Sequence, residues 1–197
     1  VTSNYLLRDK HPFIFFQNNE LYYRYLQVIE NNFVKKHNLE KRDKKFTCLN
    51  RADKAWRKIY ASFLHYLDVS KHGYFSYTGY KYDTSNAGLN DFAQWQGYDD
   101  TLQQDVLSFE LQMPFRCDEL SDHEHNNHKL INHDFYQNAY FNFVVETLFD
   151  NDVCVLSEKT FKPILNMQPF IIIGNPGSLQ LLKSLGYKTF EDVNFRC

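Results

Sequence analysis

The chain has 197 residues, of which 43% are hydrophobic, 23% charged and 17% aromatic. That is enough apolar material for one full core, or for one domain with a short arm, and it excludes global disorder. With 22 basic and 24 acidic side chains the formal net charge is -2, so nothing global favours nucleic acid or a membrane surface as partner.

Mean hydropathy is -0.55, and no apolar run approaches the roughly 20 residues that a spanning helix needs. The first ten residues lack the apolar core of a signal peptide. The chain begins at Val1 rather than Met, which is expected of a piece of a longer protein. The four cysteines, Cys48, Cys117, Cys154 and Cys197, are far apart and form no C-x-x-C. Neither a zinc knuckle nor a dense disulfide framework is suggested. No asparagine lies in an N-x-S/T sequon, so a reduced cytoplasmic setting is expected.

In chain order, the first expected element is a helix capped by Asn18 or Asn19. Tyr22, Tyr25, Leu26, Ile29 and Phe33 fall on one stripe of it. The charged run Lys35–Lys45 reads as a solvated helix end and linker. Phe46–Asn50 then reads as a short strand, Asn50, Arg51 and Ala52 as a turn, and Asp53 as the cap of a following helix. Trp56, Ile59, Tyr60, Phe63, Leu64 and Leu67 recur at helical spacing and mark its core face. Strand, tight turn and amphipathic helix open a parallel α/β unit, and Tyr74–Tyr77 is the next strand expected. Residues 78–113 read as loops and short elements, and Ser121–Ile131 as a polar helix.

The last third is clearer. Tyr140–Glu146 reads as a strand, and the apolar runs Val153–Leu156 and Phe170–Ile173 as strands buried on both faces of a parallel sheet. The dozen or so residues between those runs are about the minimum for a helical crossover. Gly174–Gly177 forms a turn, Ser178 caps a helix through Leu185, and Gly186 ends it.

The segment Ser157-Glu158-Lys159-Thr160-Phe161-Lys162-Pro163 carries the strongest chemical signal. It opens a helix at the carboxyl end of the sheet, where open α/β folds bind ligands. With Ser157 as N-cap, Lys159 falls in the first turn, where a cation opposes the macrodipole unless an anion sits beside it. Glu158 can accept hydrogen bonds from ribose or sugar hydroxyls. The plainer alternative is a solvent-facing helix start. Arg51 and Arg57 form a second basic pair suited to bidentate phosphate contact; the alternative is a surface pair beside Asp53.

His123, Glu124, His125 and His128 resemble a metal cluster by composition, but their spacing does not match H-E-x-x-H. They read as an accidental polar segment near His133, and no metal site is expected. There is no G-x-G-x-x-G, P-loop or G-x-S-x-G, so dinucleotide-dependent dehydrogenase, Walker-type NTPase and α/β-hydrolase readings lose their usual support.

Taken together, these motifs resemble the fucosyltransferase-like glycosyltransferases. Thr47-Cys48-Leu49-Asn50-Arg51 with Arg57 resembles their first strand and helix. Tyr140–Thr147 is similar to their Y-x-F-x-x-x-x-E-N strand. Ser157-Glu158-Lys159 followed by Pro169–Gly174 resembles their T-E-K … P-V-x-x-G site. The string Glu158–Pro163, Pro169–Gly174 and Leu179–Phe190 is closer still to the short relatives encoded by phages and large DNA viruses. The similarity runs from about Phe46 to the C-terminus.

The resemblance implies an α/β fold: a Rossmann-like parallel sheet flanked by helices, the C-terminal domain of a GT-B enzyme, incomplete at both ends. Residues 46–197 would form the nucleotide-sugar-binding domain. Residues 1–45 would be a helical arm or a remnant of the acceptor domain. The implied function is transfer of a sugar from a nucleotide diphosphate sugar, GDP- or UDP-linked, to a glycan or other hydroxyl acceptor. It would be inverting and would need no metal or cofactor, in the cytoplasm (that of the host, if the chain is viral). The implied donor-binding residues are Arg51, Arg57, Glu146, Glu158 and Lys159. Lys159 and one arginine would neutralise the diphosphate, and Glu158 would hold the ribose. No general base is identified, so the piece is expected to bind donor yet transfer poorly; the alternative is a non-catalytic nucleotide- or sugar-binding module. Thr147 stands where the family has Asn, and the spacing from Glu146 to Lys159 is longer than in true fucosyltransferases.

Overall fold

A computed structural model of the chain describes residues 41–80, 100–119, 131–147, 154 and 156–189. The expected helix around Tyr22–Phe33, and His123, His125 and His128, lie outside the described residues. The chain divides into two compact units, Lys41–Tyr140 and a second whose described part begins at Phe141.

In the first unit, β1 (Lys44–Ala52) is followed by α1 (Ala55–Tyr66), a short 3-10 turn (Ser70–His72), β2 (Gly73–Tyr80), α2 (Asp100–Gln112) and α3 (His133–Gln137). β1 and β2 are parallel, with Phe46 opposite Gly73 and Asn50 opposite Tyr77. The strand expected at Phe46–Asn50 is therefore present, but it continues through Arg51 and Ala52, which do not form a turn. Phe46, Thr47 and Cys48 are buried in succession, as befits a strand covered on both faces. Gly73 has a steric reason to be glycine: a Cβ there would sit 2.4 Å from the Phe46 ring.

α1 forms where the spacing predicts, but with a different inward face. Ala55, Lys58, Ala61, Ser62 and Leu64 are buried, whereas Phe63 is 48% and Leu67 50% exposed. The small residues let α1 pack closely against α2; of the expected stripe Leu64 is buried, Trp56, Ile59 and Tyr60 are half-buried, and Phe63 and Leu67 face outward. Asp53 does not cap the helix. The N-cap is Lys54, with no side-chain cap bond, and Asp53 instead accepts from Tyr77 Oη at 2.8 Å. Just beyond α1, Asp68 adopts φ 59°, a left-handed conformation that Asp tolerates better than most residues.

α2 replaces part of the loop expected over residues 78–113; positions 81–99 lie outside the described residues. Its buried Val106 and Phe109, with Leu102 before them, give the 4-then-3 spacing of a helix face. Phe109 stacks on Phe115 at 4.8 Å, and Phe75 and Tyr77 meet Phe109 edge-on. Such aromatic pairs add about 0.5–1.5 kcal/mol each beyond burial.

The second unit contains most of β3 (Ala139–Val145), then α4 (Glu158–Leu165), β4 (Phe170–Ile173) and α5 (Ser178–Ser184). β3 and β4 are parallel, with Val145 opposite Ile173, and α4 lies in the crossover between them. The strand expected at Val153–Leu156 is not formed at its described members: Cys154 and Leu156 are buried but lie outside any strand. β4 is only half-buried, with Ile171 51% exposed, so it is not covered on both faces as expected. Gly177 at φ 89° is the N-cap of α5. Ser178 is its first helical residue, not its cap, and donates its hydroxyl to the Asn175 carbonyl at 2.7 Å. Gly186, at φ 87°, follows the helix as expected.

The strands form one sheet in the order β2-β1-β3-β4. Just before β3, the Asn138 carbonyl accepts the Lys44 N–H of β1 at 3.0 Å. The protein is thus α/β, with a Rossmann-like parallel sheet flanked by helices. Among the described residues, no helix is long and apolar enough to cross a membrane. The cysteines described, Cys48, Cys117 and Cys154, are free thiols; Cys48 and Cys154 are buried.

Candidate functional site

The site is built where β3 ends and α4 begins. β3 is apolar toward its end, then delivers Glu146, which is 1% exposed. A carboxylate so far from water needs donors, and the chain provides them locally. Oε1 accepts the Ser157 N–H at 3.0 Å and the Thr160 hydroxyl. Oε2 accepts the Thr147 N–H at 3.1 Å and the Ser157 hydroxyl.

Ser157 is the N-cap of α4, as the sequence predicts, and its Oγ accepts the Lys159 N–H at 3.3 Å. Lys159 then extends its ammonium to Thr147 Oγ1 at 3.2 Å and to Glu158 Oε1. Glu158 and Lys159 are neither sealed in nor free in water, at 19% and 24% side-chain exposure.

Burial alone would raise the Glu158 pKa, but the charges of Lys159 and Lys162 outweigh it and hold the carboxyl below its ordinary value. Lys162 responds the other way. Burial lowers its pKa to about 8, Lys159 pushes in the same direction and Glu158 opposes them. Two ammonium groups, Lys159 from the first turn of α4 and Lys162 from the last, thus interact with the Glu158 carboxylate at the helix start, where the backbone also presents positive potential. Behind this group, Gly174 closes against the stem of Glu146: a Cβ on it would lie 3.3 Å from Glu146 Cβ and Cγ. Cys154 Sγ is 3.9 Å from Ser178 Oγ, and burial raises its pKa.

The structure therefore brings together three of the five residues singled out in the sequence: Glu146, Glu158 and Lys159. Arg51 and Arg57 belong to the first unit. Arg51 lies in β1 with its guanidinium 4.5 Å from the Tyr80 ring centroid. Arg57 is 2% exposed, so it is not the surface residue of the plainer alternative. The roles of Thr147, Thr160 and Lys162 are not visible as motifs. The signal for Thr160 is its three-residue spacing from Ser157, which puts both hydroxyls on one carboxylate. Among the described residues, no group of His, Cys, Asp and Glu is arranged to hold a metal ion.

Comparison with protein-family models, with curated proteins and with solved structures finds no match for this chain.

Proposed function

We propose that the chain is a glycosyltransferase, or the donor-binding domain of one, that takes a nucleotide diphosphate sugar and serves transfer to a glycan or other hydroxyl acceptor. The observation that carries this reading is Lys159 in the first turn of α4, beyond the carboxyl end of β3, with Lys162 of the last turn acting on the same Glu158 carboxylate. A helix start, with its backbone N–H groups and positive potential, favours a phosphate, and a lysine in its first turn adds to that. Side-chain ammonium groups there can stabilise negative charge that develops on a leaving diphosphate. In this reading Glu158 would turn toward ribose hydroxyls once phosphate takes over its lysines.

Titration calorimetry with GDP, UDP and ADP, with and without EDTA, tests this reading. The expected result is one nucleotide bound at micromolar affinity and insensitive to EDTA, which also identifies the base. Absence of binding to all three, or binding abolished by EDTA, would overturn it.

A further inference from the structure

Glu146 was singled out in the sequence as a residue that touches the donor, and its geometry points elsewhere. An ionised carboxylate offers about four acceptor positions. Here all four are taken by the chain itself: two backbone N–H groups, from Thr147 and Ser157, and two hydroxyls, from Ser157 and Thr160. The stem is closed in by Gly174, and the backbone N–H of Glu146 is tied to the Ile173 carbonyl at 2.9 Å. Nothing is left over for a ribose or phosphate.

The same four bonds lead to Lys159 by two routes. Ser157, held by Glu146, accepts the backbone N–H of Lys159. Thr147, also held by Glu146, accepts the Lys159 ammonium on its hydroxyl. The lysine is thus fixed at its backbone and at its tip by residues that share one buried carboxylate. We infer that Glu146 is a positioning residue, which sets the first turn of α4 and so aims Lys159 at the phosphate. This inference rests on the donor-binding reading for its ligand, but the tether itself does not.

An amide cannot stand in for this carboxylate. Each oxygen receives one backbone N–H, a donor that cannot reverse its role, so in Glu146→Gln one of them faces an NH2 group. The hydroxyls can rotate; the backbone cannot. Thr160→Val is the gentler variant, since it keeps the shape and removes a single donor.

The test is a double-mutant cycle read by calorimetry with whichever of GDP, UDP and ADP the unmodified chain binds. Glu146→Gln is expected to lower affinity roughly tenfold, and Thr160→Val by less. In a Lys159→Ala background neither should lower affinity further, because the effect passes through that lysine. Amide hydrogen exchange should show lost protection at Ser157, Lys159 and Thr160 in Glu146→Gln, with β1 unchanged. Affinity losses that add to that of Lys159→Ala would overturn the inference, as would wild-type affinity in both variants. If the unmodified chain binds none of the nucleotides, the donor reading fails. Exchange then decides the tether alone: unchanged protection at residues 157–160 overturns it, and local loosening sustains it.

Discussion

Lys58 Nζ lies 3.1 Å from Asp53 Oδ1, with both side chains only 3% exposed, and the same ammonium bonds Glu110 on α2. Tyr77 adds its hydroxyl to Asp53. One buried cation therefore joins the start of α1 to α2, beside β2. Removing one partner of a buried pair leaves its counter-charge uncompensated, so Lys58→Met should destabilise the chain by about 3–5 kcal/mol. The expected readout is a fall in the urea midpoint at constant slope. A midpoint within error of the wild type would show that this ion cluster is dispensable.

Lys159 has the opposite profile. Its pair with Glu158 is partly solvated, and pairs of that kind contribute about 1 kcal/mol or less to stability. Lys159→Ala should leave the melting temperature almost unchanged and weaken nucleotide binding by about 1.5–3 kcal/mol, the usual worth of a hydrogen bond to a charged group. Equal affinities for mutant and wild type would remove Lys159 from the donor site.

Lys162 makes the site pH-dependent. In the folded chain its pKa is lowered from 10.5 to about 8, chiefly by burial, with Lys159 adding to the effect and Glu158 opposing it. An anionic ligand prefers the charged form, so affinity should be full below about pH 8 and should decline as pH rises through it. Lys162→Arg, which keeps its charge, should flatten that decline. The contribution of Lys162 to stability runs the other way. The unfolded chain holds this proton up to about pH 10.5, so the fold gains stability as pH rises from about 8 toward 10.5. Calorimetry at pH 7, 8 and 9 reads the first effect and denaturation across the alkaline range the second; an affinity independent of pH would exclude Lys162 from ligand binding.

Gly73 sits under the ring of Phe46, which is 1% exposed. An added methyl would overlap that ring, and the ring cannot leave without opening the core. Gly73→Ala should therefore cost about 1–3 kcal/mol, the range for overpacking. Adding Phe46→Leu should recover part of the loss; failure of that second change to help would place the strain elsewhere in β1 and β2.

The parts of this fold legible in the sequence are those where local pattern and tertiary environment agree. Phe46–Asn50, Tyr74–Tyr77, Tyr140–Glu146 and Phe170–Ile173 all lie in strands or reach their ends, and Ser157 caps α4 as its chemistry suggests. The failures have physical causes. α1 keeps its helical period but buries alanine, serine and a paired lysine, because burial is decided by what packs against the helix. Asp53 is a good cap by type, yet an ion pair and a tyrosine hydroxyl claim it. α2 escapes notice because its mean composition is polar and only Val106 and Phe109 are buried. In the site, Glu158 and Lys159 announce themselves as charges at a helix start. The office of Glu146 does not, because it depends on Ser157 and Thr160, which stand 11 and 14 residues further along the chain.

The buried thiols give each unit its own clock. Cys48 is fully buried in β1, with a pKa pushed up to about 12, chiefly by burial. Cys154 is 7% exposed in the other unit. A thiol reagent can reach either only when its surroundings open, so the rate of modification counts openings rather than intrinsic reactivity. Alkylation followed by peptide mass spectrometry should therefore time the two openings separately in one sample. A bound nucleotide should slow Cys154 and leave Cys48 at its own pace; both slowing alike would mean that the two units open as one.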